Sequence, residues 1–139
     1  MKVIYFQVKN AGEKLKKIVQ IATLHFEKGE PLLILAPNAS AAVYLDALLW
    51  SSPQESFLPH EIDQSELLAL TAQKINVNSA SAVLNLCQET VGISLSPQLI
   101  YEFEDLSFPE TQQAFKKRFG DYRQRNFTLI LDSSDGSSR

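Results

Sequence analysis

The sequence predicts one α/β domain: a mostly parallel sheet with helices on both faces. Three observations carry this reading. The first 50 residues alternate strand, helix, strand, helix, which is the pattern of βαβ units. The run "PLLILA" is apolar throughout and "AVLNL" nearly so, as strands covered on both faces are. A chain of 139 residues with 45% hydrophobic and 21% charged side chains can build one ordinary core. We assign residues 1–131 to the domain and residues 132–139, "DSSDGSSR", to a flexible polar tail.

Each element has a local reason. "VIYFQV" (Val3 to Val8) is short, apolar and rich in β-formers, and Asn10, Ala11 and Gly12 break it. From Glu13 to Lys28, Leu15, Ile18, Val19, Ala22 and Phe26 recur at helical spacing. Gly29 stands where a C-cap glycine belongs. Pro31 to Ala36 is a buried strand, and Asn38 or Ser40 caps a second helix running to about Trp50. "EIDQSELLALTAQ" (Glu61 to Gln73) reads equally as a helix capped by Asp63 or as a segment with a strand at Leu67 to Thr71. Strands follow at Ala82 to Leu86 and Gln98 to Glu104. Pro109 suits the first turn of a helix from about Glu110 to Arg123, and Phe127 to Leu131 is a last strand near an edge.

The residue inventory points away from catalysis and membranes. No apolar run approaches the roughly 20 residues of a membrane span, and "MKVIYFQVKN" is too short an apolar stretch for a secretory leader. The single cysteine, Cys87, suits a reducing compartment, so a cytoplasmic location is expected. The turn after the first strand, "KNAGEK", holds one glycine and makes no phosphate loop. His25 and His60 lie far apart, and no metal or cofactor is expected. His25 beside its helix's apolar stripe reads as a packing or surface residue, Cys87 as a small hydrophobe, and Ser40 as a cap.

The net charge of −3 is segregated along the chain. Residues 1–30 hold six Lys against three Glu; residues 31–110 hold Lys74 against ten acids; residues 111–139 hold six bases against three acids. A broad DNA-binding surface on the acidic middle is excluded, since phosphate binding needs clustered bases.

The stretch "LDALLWSSPQESFLPH" (Leu45 to His60) sets the chain's only Trp and a Phe around a proline-rich turn. Trp50, Pro53, Ser56, Phe57, Pro59 and His60 together resemble the signature of the chi subunit of bacterial DNA polymerase III holoenzyme. The ending "RFGDYRQRNF", with Phe119, Tyr122, Arg123 and Phe127, resembles that family's ending, and "AVLNL" sits at the right distance between them. The resemblance implies a mostly parallel, Rossmann-like sheet, with Leu67 to Thr71 a strand, and a non-catalytic replication subunit. It implies two partners: psi, a small clamp-loader subunit, and the acidic C-terminal tail of single-stranded-DNA-binding protein, which ends in Pro-Phe. Contact with DNA would be mainly indirect.

By resemblance, the psi-facing patch is Trp50, Pro53, Phe57, Pro59 and His60, the prolines stiffening the loop and lowering the entropy lost on binding. The residues themselves leave a second reading open, in which Trp50 and Phe57 simply fill the core. The tail-binding set is Lys116 and Arg123 on one flank of the last helix, with Arg118 besides; Lys14 and Lys17 join them if the first and last helices share one face of the sheet. A solvated basic face is the plain alternative. The family places bases at successive turns of this helix, whereas this chain reads Gln112, Lys116 and Gly120. From a different class, a small α/β enzyme binding a phosphorylated ligand at the strand C-terminal ends also fits the fold.

Overall fold

The computed structural model describes residues 1–51, 61–62, 67–95 and 97–132. Among the described residues, seven strands form one sheet in the order β3-β4-β2-β5-β6-β1-β7, and every neighbouring pair is parallel. They are β1 (Lys2–Val8), β2 (Leu32–Leu35), β3 (Glu61–Ile62), β4 (Leu68–Thr71), β5 (Ala82–Asn85), β6 (Leu99–Asp105) and β7 (Thr128–Leu131). Three helices, α1 (Ala11–Lys28), α2 (Ala39–Ser51) and α3 (Pro109–Gln124), accompany them, with one 3-10 turn at Ile93–Leu95. The segment that pattern left undecided contains strand β4, and the last strand lies at an edge.

Helix ends follow local chemistry. The Asn10 side chain accepts from the Glu13 amide at 2.9 Å, and Glu13 reaches back to the Lys9 amide at 2.8 Å. Asn38, rather than Ser40, caps α2, accepting from the Ala41 amide at 2.8 Å. Gly29 ends α1 at φ 67° with its amide on the last carbonyls, and Asn126 turns α3 into β7 at φ 64°. Nothing lies within 4 Å of a Cβ added at Gly29, so Gly29→Ala meets only the left-handed backbone penalty. It should destabilise by about 1 kcal/mol, read as a shift in urea midpoint. A midpoint equal to the parent's rejects the cap.

Two cores flank the sheet. Phe6, Val8, Leu32, Ile34, Leu68, Leu70, Tyr101 and Phe103 meet α1 and α2 through Ile18, Ile21, Leu45 and Leu49. Val3, Leu33, Leu35, Val83 and Ile100 meet Tyr122 of α3 on the other side. The strand order explains the split. The crossover from β1 to β2 runs toward one edge and that from β6 to β7 toward the other; equal handedness then puts α1 and α3 on opposite faces. The expected shared face for the first and last helices is thereby corrected.

Candidate protein-binding surfaces

Strand β6 and helix α3 are joined by a buried polar network. Glu102 is fully buried in the middle of β6. Its carboxylate accepts from Arg118 Nε at 2.9 Å, from the Tyr122 hydroxyl at 2.7 Å and from Asn85 Nδ2 at 2.8 Å. Arg118 also donates to the carbonyls of Gln88 and Phe103, each at 3.2 Å. The Tyr122 hydroxyl accepts from the Val91 amide at 3.1 Å. Burial pushes the Glu102 carboxyl up, while the Arg118 charge and the three hydrogen bonds pull it back. Burial, then the Glu102 charge, pushes the Tyr122 hydroxyl well above its ordinary range.

This places Arg118 differently from expectation. Its side chain is 8% exposed and committed to Glu102; it anchors the helix from within instead of standing on its surface. Residues Phe115, Arg118 and Tyr122 are the buried positions of α3. Its spacing, three after Phe115 and four before Tyr122, sets Arg118 inside the apolar stripe. That spacing, with Glu102 inside an apolar strand, was the signal available in the sequence.

The exposed bases of α3 are Lys116, Lys117 and Arg123. Phe115 and Phe119 sit beneath, edge or tilted against Tyr5 at 5.4 and 5.6 Å between ring centroids. Gln112 closes the start of the helix, donating to the Leu106 carbonyl at 3.2 Å. A Cβ added at Gly120 meets nothing within 4 Å.

The lysines of α1 lie on the opposite face. Lys14 is 3.6 Å from Asp105 and 5.7 Å from the centre of the Phe103 ring, at the end of the sheet where β6 leads into α3. Lys17 lies 5.0 Å over Phe6. The structure thus brings Lys14 to the threshold of α3, and keeps Lys17 with α1.

The residues expected to face psi begin at the end of α2. Leu45 and Leu49 are buried and hold the helix to the sheet, and Trp50 is in its last turn. Pro53, Phe57, Pro59 and His60 lie outside the described residues, as does the tail from residue 133. Beside α2, a shallow apolar groove of about 610 Å³ runs along α1, lined by Leu15, Val19, Leu24 and Leu48.

The crevice between the first and last crossovers offers a small molecule little room. β1 and β6 are neighbours whose helices leave to opposite faces, so the crevice between them is the topological switch point. There Lys14, Phe103, Asp105, Thr111 and Arg118 enclose about 60 Å³, against roughly 300 Å³ or more for an ordinary ligand pocket. His25 is buried, its Nε2 2.7 Å from the Tyr101 hydroxyl and its Nδ1 3.1 Å from the Glu30 carbonyl. Burial holds its imidazole below the usual value, and of the packing or surface roles expected for it the structure gives the first. Cys87 is buried too, and burial pushes its thiol up, away from reactivity.

Fold and surface together define a doubly wound α/β domain whose switch-point crevice is nearly filled and whose helices α1 and α3 carry exposed bases. The model of the DNA polymerase III chi subunit family, HolC, matches residues 1–130, and the chain belongs to that family. It is therefore a non-catalytic accessory subunit of the replicative polymerase. No curated protein matches the chain as a relative. Among the described residues, no helix is long and apolar enough to cross a membrane.

Proposed function

We propose that this chi-family subunit is a cytoplasmic adaptor that links the clamp loader, through a psi-like subunit, to the acidic C-terminal tail of single-stranded-DNA-binding protein. The match of the family over residues 1–130 carries this reading. The psi-like partner meets Trp50, Pro53, Phe57, Pro59 and His60. The tail meets Lys116 and Arg123, exposed on α3 above the Phe115 and Phe119 rings, its terminal carboxylate pairing with these bases. Lys14 is the remaining base near the start of α3, and Lys17 supports the field from the far side of the sheet. Arg118 contributes by holding α3 in place.

Exposed pairs contribute little each and are screened by salt, so tail affinity should be micromolar and salt-sensitive. A labelled acidic peptide ending in Pro-Phe, titrated by fluorescence anisotropy, tests this. Lys116→Ala and Arg123→Ala should each weaken binding about two- to fivefold. Gly120→Lys fills an open position with a base and should strengthen binding by a similar factor. No binding at low salt, or binding indifferent to all three substitutions, rejects the site. A pulldown with a psi-like subunit tests the other surface: Phe57→Ala should reduce capture, and unchanged capture rejects the patch.

A further inference from the structure

Among the described residues, strand β7 is an open edge of the sheet. It pairs with β1 on one side, Lys2 opposite Thr128 through Tyr5 opposite Leu131, and is the last strand in the sheet order. Natural sheets guard such edges with lysines, prolines, bulges or very short strands. At the other edge of the described sheet, β3 is Glu61–Ile62. β7 reads Thr-Leu-Ile-Leu and carries no lysine, proline or glycine. Ile130 and Leu131 are 40% and 42% exposed.

The ladder fixes which groups face outward. The amides of Thr128 and Asp132 donate to the Met1 and Tyr5 carbonyls of β1 and its flank, at 3.1 and 2.9 Å. In a parallel ladder, one residue's N–H and C=O point the same way and successive residues alternate. Leu129 and Leu131 therefore turn their backbone groups to the free edge.

We propose that β7 pairs with β7 of a second copy of this chain, antiparallel, to make one continuous sheet across a two-fold axis at Ile130. The strand is its own complement in that register. Leu129 of each copy faces Leu131 of the other, and both are outward-facing, so four reciprocal backbone hydrogen bonds form. Ile130 meets Ile130 as a non-hydrogen-bonded pair, where side chains come closest. Thr128 stands opposite Asp132, a hydroxyl against a carboxylate, and no like charges are set directly against each other. One four-residue strand per copy buries less than the roughly 1,200 Å² of a standard stable interface, so the dimer is weak, with Kd on the order of 100 µM.

Sedimentation velocity of the full chain from about 10 µM to about 1 mM brackets that Kd. The average mass should rise toward twice the monomer's. Leu131→Pro removes an outward amide and spares the bonds to β1; Ile130→Lys sets two like charges on the axis. Both should remain monomeric. Because misfolding of either variant would give the same result, a gain of linkage complements them. At a non-hydrogen-bonded pair the Cα atoms come about 4.5 Å apart, within disulfide reach. Ile130→Cys under oxidised glutathione should give a covalent dimer, while Tyr44→Cys, 57% exposed on α2, should not. A monomer at every concentration, equal cross-linking of the two cysteine variants, or a dimer untouched by both Leu131→Pro and Ile130→Lys overturns the proposal.

Discussion

Arg118→Met is expected to lower the unfolding free energy by about 3–5 kcal/mol at neutral pH and above. The substitution keeps much of the side-chain volume and removes the charge. It leaves Glu102, fully buried, with the Tyr122 hydroxyl and Asn85 amide as donors and no countercharge. A buried carboxylate without its cation escapes the penalty by staying protonated. The deficit is therefore pH-dependent, and its sign follows from linkage. Burial already holds the folded Glu102 carboxyl above its ordinary value. Losing the guanidinium, the largest opposing influence, raises it further. Between the unfolded and folded values the folded state binds the extra proton, so the variant's stability falls as pH rises through that window. Below the ordinary carboxylate range both states are protonated, and the ionisation part of the deficit is gone. Urea denaturation of parent and variant at pH near 5 and near 8 reads this as a midpoint gap that widens with pH. Glu102→Gln combined with Arg118→Met should recover part of the loss at high pH, because the orphaned charge is gone. A gap of constant width, or a double variant no better than the single, shows that the pair does not act as described.

That network also marks where sequence reasoning stopped. The strands and helices were legible because apolar runs and 3.6-residue spacing report burial directly. β2 and β5 read as buried runs, and α1 is framed by Asn10 and Gly29. Leu67–Thr71 was ambiguous because four apolar residues and a threonine satisfy either period; only pairing with β2 makes Leu68–Thr71 a strand. Arg118 read as one more surface base because a charge on an amphipathic helix usually is one. Its partner lies 16 residues away on β6, and no local pattern reports that pairing. The opposite placement of α1 and α3 required the strand order, in which β1 joins β6 instead of β2. Lys116 and Arg123 were legible as exposed bases, since they stand on the outer face of an amphipathic helix.

Leu49→Ala is the second large effect, at about 2–5 kcal/mol of lost stability. Leu49 is fully buried, packed with Leu45 and Ala42 of α2 in the core that includes Leu32, Leu68 and Leu70. Truncation removes buried methyl groups and leaves a cavity that flanking strands, held in a continuous ladder by β2–β4 and β2–β5 pairing, cannot close. The size of the loss depends on how far α2 can settle inward. That same settling connects packing to the proposed partner surface. Residue 49 lies one position before Trp50 and two before the helix ends at Ser51, so a displaced last turn moves the start of the Pro53-to-His60 segment. Leu49→Ala should therefore weaken capture of a psi-like subunit even at temperatures where the variant is fully folded. Val43→Ala, on the solvent side of the same helix at 62% exposure, should change stability by no more than about 0.5 kcal/mol and leave capture unchanged. Tail-peptide binding at α3, across the sheet, should be unaffected by either. Chemical denaturation, pulldown and peptide titration on the three proteins separate these effects. Loss of tail binding together with partner capture would mean global loosening and count against the link between Leu49 and the α2 exit. Loss of partner capture alone, with stability down and the tail site intact, is the result that the packing of Leu49 under the last turn of α2 requires.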